Sequence, residues 1–301
     1  MASNVSFSKE PLLSNRRNRD KGQVTRLRDY YFNRFKRHIS LLLEQKKTRQ
    51  VSSNKGLLNS RALHKYQFSD NIFTKSIKNV SADTTILFLI DGSGSMTQTE
   101  STPVGYCERI QLCTAVASAF AKANRVVLGN KIPVEVFVKS APPTWGDQLT
   151  GTNNGAITIL SRVFSSHKNN NDYDSLLNVS CNSPIVSEGG YFDGSYTSEF
   201  AVLPALMQWM KKNVRTKKCI VFNLTDGEAY CTIGVDNHQF RSEDNKAMRL
   251  KYLRGIPNLT LMMGCRDDNR TRMQDVYGEN MICTDTDFSG ELFKAFAGFL
   301  N

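Results

Sequence analysis

Residues 84–96, TTILFLIDGSGSM, join a run of apolar residues to a loop of short polar ones. The apolar residues at 86–90 are not interrupted by polar ones, which predicts a short β-strand buried on both faces at 84–90. This strand runs directly into Asp91, Ser93 and Ser95, which are separated by single glycines. Three oxygen-bearing side chains therefore follow the end of a buried strand, and the glycines allow the loop to turn tightly enough for them to converge.

Beyond this stretch, segments typical of strands and helices alternate along the chain. Helices are predicted at 108–124, 197–214, 243–255 and 289–300, and strands at 132–139, 218–224, 258–265 and 280–283. Thr197 or Ser198 is the expected N-cap of the second helix, and Pro204 is expected to kink it. Segment 156–164 fits either a strand or a helix.

Strands that are apolar throughout and alternate with helices predict an α/β fold. We expect a doubly wound, mostly parallel sheet with helices on both faces. Such sheets bind ligands beyond the carboxyl ends of their strands, where the strand order reverses. The loop that contains Asp91 follows the first strand of this series, so it lies where a site is expected.

Two further polar loops are expected at the same edge of the sheet. CIVFNLTDGEAY, at 219–230, places Asp226 directly after another buried strand. FDGSYTSEF, at 192–200, precedes the helix between the two strands and offers Thr197, Ser195 or Asp193. Carboxylates and hydroxyls are hard oxygen ligands, which suit Mg²⁺ or Mn²⁺.

Asp-x-Ser-x-Ser after a buried strand, then Thr, then Thr-Asp-Gly after a later strand, resembles the von Willebrand factor A (VWA) domain and its metal-ion-dependent adhesion site (MIDAS). The resemblance covers residues 82–301. It implies a Mg²⁺ or Mn²⁺ site at which one coordination position stays open for a carboxylate of a partner protein. The ligands that it implies are Asp91, Ser93, Ser95, Thr197 and Asp226, with Ser195 or Asp193 as alternatives to Thr197. We expect Asp91→Ala to abolish partner capture and to leave the fold intact.

Within this family, the chain is most similar to the carboxyl-terminal part of CobT-type cobaltochelatase subunits. The similarity rests on the basic helical segment, on GLLNSRALHKYQFSDNIFTK at 56–75 and on the VWA pattern that follows. Related proteins are encoded by bacteria and phages, and they typically work with a CobS- or MoxR-type AAA+ ATPase. The long acidic stretch of the chelatase subunit is absent here, so the resemblance does not imply cobalt insertion.

The amino-terminal part of the chain is strongly basic. Residues 1–80 contain 18 Lys and Arg against 5 Asp and Glu, a net of +13, while the whole chain carries +11. We expect a flexible basic tail at 1–22 and a basic helical region with an edge strand at 23–80. Apolar residues at helical spacing predict an amphipathic helix at 23–47, whose apolar face packs on the body or on a partner.

The opposite face of this helix provides an alternative function. Basic residues interleaved with aromatic ones are typical of nucleic-acid binding, and VWA domains also occur in Ro-type RNA-binding proteins. The candidate contacts, to nucleic acid or to an acidic partner, are Arg16, Arg17, Arg19, Arg26, Arg34, Lys36 and Arg37. A structural role in a virion is a further alternative.

Several classes of enzyme are disfavoured by missing motifs. The chain has no G-x-x-x-x-G-K-[ST] loop, no G-x-S-x-G elbow and no H-E-x-x-H pair, so we expect no intrinsic catalytic activity. No signal-peptide pattern or apolar run of about 20 residues is present. The seven scattered cysteines predict reduced thiols, and together these features favour a cytoplasmic protein.

Overall fold

The structure is a computed structural model of the chain. It describes residues 6–8, 21–48, 51–53, 57–58, 73–75, 84–140, 159–167, 172–179, 200, 202–227, 231–233, 238–240, 242–264, 267–283, 291–292 and 294–295. Among the predicted site residues, Arg16, Arg17, Arg19, Asp193, Ser195 and Thr197 lie outside this part of the chain.

The strands and helices of the described residues are numbered in chain order. The strands are β1 Ser6–Ser8, β2 Val51–Ser53, β3 Leu57–Leu58, β4 Phe73–Lys75, β5 Thr84–Asp91, β6 Thr99–Thr102, β7 Gly105–Glu108, β8 Val134–Ser140, β9 Ile159–Ser165, β10 Lys218–Thr225, β11 Cys231–Ile233, β12 His238–Phe240, β13 Asn258–Met262 and β14 Met281–Cys283. The α-helices are α1 Lys21–Thr48, α2 Arg109–Leu128, α3 Leu203–Asn213, α4 Ser242–Tyr252 and α5 Asp267–Tyr277. Short 3-10 helices span Gly94–Thr97 and Tyr173–Asn178.

The central sheet has the strand order β1-β9-β8-β5-β10-β13-β14. Its ladders are parallel except for the antiparallel pair β8–β9. The prediction of a mostly parallel α/β fold is therefore confirmed. After β5 the chain forms β8 on one side and β10 on the other, so the strand order reverses between β5 and β10.

Both faces of the central sheet are packed. Alternate residues of β5 point to opposite faces, so Phe88 contributes to one apolar cluster and Leu89 to another. The first cluster includes α1 and α2, and its rings meet edge to face where Phe120 contacts Phe88 and Phe35. The second includes Leu206 of α3 and residues of α4 and α5. This two-sided burial explains the uninterrupted apolar run at 86–90.

Helix α1 packs on α2, on the surface of the body. Its buried residues recur at helical spacing and enter the same cluster as α2: Val24, Leu27, Tyr31, Phe35 and Ile39. Lys122 of α2 donates to Asp29 of α1 over 2.8 Å, and buried Arg28 pairs with Asp29 and Asp174. The other described residues of the predicted basic region 23–80 form the antiparallel sheet β2-β4-β3. In the predicted tail 1–22, strand β1 pairs with β9 of the central sheet.

Several local predictions change. Segment 156–164, which fitted a strand or a helix, forms strand β9. The helix predicted from Thr197 begins at Leu203 instead, so Pro204 opens it rather than kinking it, because proline's missing N–H costs nothing in the first turn. The hairpins β6–β7 and β11–β12 and helix α5 were not predicted. None of the described helices is long and apolar enough to cross a bilayer.

Candidate metal centre

Strand β5 ends at the first candidate ligand, Asp91, whose side chain is buried. Gly92 continues the ladder by donating to the carbonyl of Lys139 over 2.8 Å, and the chain then turns into the 3-10 helix at Gly94–Thr97. The Asp91 carboxylate holds this turn, because its Oδ1 accepts a hydrogen bond of 2.9 Å from the Ser93 amide.

The two serine hydroxyls of the loop lie together. Ser93 Oγ and Ser95 Oγ are 3.0 Å apart, and Ser93 is buried while Ser95 is partly exposed. The 3-10 turn holds the two serines in this position, because the Met96 amide donates to the Ser93 carbonyl and the Gln98 amide donates to the Ser95 carbonyl. The loop therefore gathers one carboxylate and two hydroxyls, and it opens towards solvent on the side of Ser95.

The neighbouring strand β10 brings Thr225 and Asp226 to the same edge. Leu224 pairs with Ile90, so the residues that follow them, Thr225 and Asp91, lie next to each other. Thr225 Oγ1 donates to Asp91 Oδ2 over 2.9 Å and accepts from the Gly227 amide over 3.1 Å. Sequence reasoning selected Asp226 in this loop and assigned no contact to Thr225.

Each of the two candidate carboxylates faces a cation. Lys139 Nζ of β8 lies 3.6 Å from Asp91 Oδ2, and the two side chains are 0% and 1% exposed. Arg109 Nη1, at the start of α2, donates to Asp226 Oδ2 over 3.2 Å, with the Asp226 side chain 0% exposed. Sequence reasoning missed both cations. The position of Lys139 at the end of a predicted parallel strand was a usable signal, whereas nothing local marked Arg109.

The donor chemistry of this edge suits a hard divalent cation. Asp91, Asp226 and the two serine hydroxyls provide carboxylate and hydroxyl oxygens, which Mg²⁺ and Mn²⁺ prefer over nitrogen and sulfur ligands. No group of three or more His, Cys, Asp or Glu side chains suited to a metal occurs in the described ranges. The candidate centre does not require one, because half of its donors are hydroxyls.

The basic candidates on α1 lie elsewhere. Arg26, Lys36 and Arg37 are exposed on its outer face, while Arg34 is half-buried with its guanidinium 4.6 Å from the centre of the Tyr30 ring. Partial burial lowers the pKa of His38, and the positive charges of Arg37 and Arg34 lower it further. The outer face is thus electropositive.

The cysteines whose side chains the structure describes are free thiols: Cys107, Cys113, Cys219 and Cys283. Burial raises the pKa of the Cys219 thiol to about 12, so it stays protonated and unreactive at neutral pH.

No protein-family model and no curated protein matches this chain.

Proposed function

We propose that the chain is a VWA-type subunit that binds Mg²⁺ or Mn²⁺ and uses the ion to capture an acidic side chain of a partner protein. Asp91, Ser93, Ser95 and Asp226 would hold the ion, with Thr197, Ser195 or Asp193 as a further ligand. When bound, the ion supplies a Lewis acid that accepts a carboxylate oxygen. The partner that we propose is a CobS- or MoxR-type AAA+ ATPase, for which this chain would be a docking subunit without catalysis of its own.

The observation that carries this proposal is the convergence of oxygen atoms at the reversal point of the sheet. Ser93 Oγ lies 3.0 Å from Ser95 Oγ, and Asp91 is tied to Ser93 on one side and to Thr225 on the other. Asp226 follows Thr225 directly, in the crevice where α/β sheets bind ligands. A loop that only capped a helix would not need polar side chains from two adjacent strands.

The proposal is tested by a pull-down from native lysate with the tagged full chain. Wild type, Asp91→Asn and the matched control Asp275→Asn are compared in Mg²⁺ and in EDTA, with mass spectrometry as the readout. Asp275 is 65% exposed and pairs with Lys246, so its loss changes charge without touching the site. We expect wild type and the control variant to capture a AAA+ ATPase, and to do so only when Mg²⁺ is present. Its capture by Asp91→Asn, or in EDTA, would contradict the proposal.

The exposed cations on α1 favour a second candidate function, the binding of nucleic acid. Arg26, Lys36 and Arg37 lie on one face of the helix, and Arg26 and Arg37, which are eleven positions apart, are separated by about 16 Å along the helix axis. An array of this length fits a few consecutive phosphates of one strand.

This second candidate is tested by fluorescence anisotropy with a labelled oligonucleotide. The triple variant R26Q/K36Q/R37Q is compared with K211Q/K212Q/R215Q, which removes the same charge from exposed residues at the end of α3. If α1 contacts phosphates, only the first variant weakens binding and reduces the slope of log affinity against log salt by about 2 to 3. Equal losses in the two variants would indicate attraction by net charge alone.

A further inference from the structure

The amino-terminal ends of the parallel strands form an edge of the sheet opposite the candidate metal centre, and three chain connections meet there. The connection that enters β8 joins β5 at Pro133, whose carbonyl accepts from the Ile86 amide over 2.8 Å. The connection that enters β10 joins β5 at Thr216, whose hydroxyl lies 2.7 Å from that of Thr85. The connection that enters β13 joins β10 at Pro257, whose carbonyl accepts a backbone hydrogen bond of 2.9 Å. The four neighbouring strands β8, β5, β10 and β13 extend over about 14 Å at the usual strand spacing.

Six exposed cations lie on these connections and at the helix end that leads into one of them, and we call them the basic edge: Lys131, Lys211, Lys212, Arg215, Lys218 and Arg254. Within the described ranges, no side chain of the six takes part in an ion pair or a hydrogen bond. Asp275 and Glu279 are exposed carboxylates of α5 and of the connection to β14, at the far end of the sheet, and Asp275 is paired with Lys246. The positive charge of the basic edge is therefore not neutralised by these neighbours.

The basic edge carries more positive charge than the helices around it require. Helices α2, α3 and α4 all end at this edge, at Leu128, Asn213 and Tyr252. Each carboxyl terminus is equivalent to about half a negative charge, so the three together offset about one quarter of the six cations. Like charges gathered on one surface repel one another, and an anionic ligand relieves that repulsion.

The surroundings of the basic edge favour a lipid surface over a strand of nucleic acid. Val126 and Leu250 are 54% and 51% exposed, and they lie in the last turns of α2 and α4, on opposite faces of the sheet. Aliphatic side chains beside cations are typical of structures that bind at a membrane interface. The segments 129–133, 211–218 and 253–257 contain no aromatic residue on which a base could stack. Because the cations come from three separate connections, they cover a surface and do not follow a line.

We propose that the basic edge binds the surface of a membrane that contains anionic phospholipids. The six cations attract the negative headgroups, and Val126 and Leu250 enter the boundary between headgroups and acyl chains. This property goes beyond the proposed function. The first and last residues of β5, Thr84 and Asp91, are about 23 Å apart along the strand. The membrane therefore lies on the side opposite the candidate metal centre, which stays open to a protein partner.

The test is co-sedimentation of the full chain with sucrose-loaded vesicles in the presence of EDTA. One set of vesicles contains phosphatidylcholine alone, and the other contains equal parts of phosphatidylcholine and phosphatidylglycerol. Wild type is compared with two variants that lose the same charge at different places, the edge variant K211Q/K212Q/R215Q and the α1 variant R26Q/K36Q/R37Q. The aliphatic variant V126S/L250S keeps the charge and removes the apolar side chains. A thermal melt checks that every variant is folded.

We expect wild type to bind the vesicles with phosphatidylglycerol at least about tenfold more tightly than those without it, and to lose this preference as salt rises. The edge variant should lose at least about tenfold in affinity for the anionic vesicles, while the α1 variant stays within about twofold of wild type. The aliphatic variant should lose about threefold, because less apolar surface is buried. Fluorescence anisotropy of a labelled oligonucleotide should not respond to the edge variant or to the aliphatic variant.

Three results would overturn the proposal. Wild type that binds both kinds of vesicle equally, or neither, does not recognise anionic lipid. Equal losses in the edge variant and the α1 variant would mean that total charge decides binding and that the basic edge has no special role. An edge variant that loses as much affinity for the oligonucleotide as for the vesicles would assign the basic edge to nucleic acid. EDTA is present throughout, so the result does not depend on the candidate metal centre.

Discussion

Replacing Asp91 by alanine should destabilise the protein strongly when no metal is present. Asp91 accepts hydrogen bonds from the Ser93 amide and the Thr225 hydroxyl, and it faces Lys139 at 3.6 Å with both side chains shielded from water. The sequence alone led us to expect an intact fold in this variant. The buried pair changes that expectation, because the substitution removes a carboxylate that compensates a buried ammonium group.

The size of the effect follows from this burial. Removing one partner of a buried ion pair costs about 3–5 kcal/mol, mainly because the other charge stays in a poorly solvated position. Removing both charges costs much less, so Asp91→Ala/Lys139→Met should recover at least about half of the loss. Asp275→Ala breaks an exposed pair with Lys246 and should cost no more than about 1 kcal/mol.

The assay is equilibrium unfolding in urea with EDTA, followed by far-ultraviolet circular dichroism. Free energies of unfolding are compared for wild type, Asp91→Ala, Asp275→Ala and the double variant Asp91→Ala/Lys139→Met. Similar slopes of free energy against urea concentration show that the same transition is measured in each protein. If Asp91→Ala lies within about 1 kcal/mol of wild type, the pair is not effectively buried and the reasoning is wrong. A double variant no more stable than Asp91→Ala would also refute it.

Three further predictions concern neighbouring features. Thr225→Val should lower the free energy of unfolding by about 2–4 kcal/mol, because the Asp91 carboxylate loses a hydroxyl donor and the Gly227 amide loses its acceptor. Thr114 is equally buried but its hydroxyl donates to a helix carbonyl, so Thr114→Val should cost less in the same urea assay. Gly264→Ala should lower stability by at least about 1 kcal/mol in a thermal melt, through its positive φ and the Arg109 guanidinium behind it; an unchanged melting temperature would contradict the packing. The lowered pKa of His38 means that the unfolded chain binds its proton more readily, so stability should decrease as pH falls through about 6.5. His38→Gln should remove that part of the pH dependence, and a chemical-shift titration of the His38 ring should give a midpoint below 6.5; a midpoint above it would contradict the sign.

The order of the strands could be predicted only in part. Largely apolar runs indicated buried strands at 84–90 and 218–224, and these form adjacent strands β5 and β10. Segment 156–164 was ambiguous because a short apolar run fits either structure until its neighbours are known. It becomes β9 because β8 offers it an antiparallel edge. Hairpin β6–β7 was missed, since its residues lack an apolar pattern and all except Cys107 are exposed or half-buried.

The amino-acid sequence by itself determined the α/β class and the polar loops at the ends of two buried strands, because periodicity and local residue chemistry are written along the chain. Only the tertiary structure decided which groups face those loops. Lys139 reaches Asp91 through the register of β5 with β8, and Arg109 reaches Asp226 across 117 positions of sequence. These pairings depend on which strands become neighbours and on how α2 packs above the sheet, and local sequence patterns do not specify either.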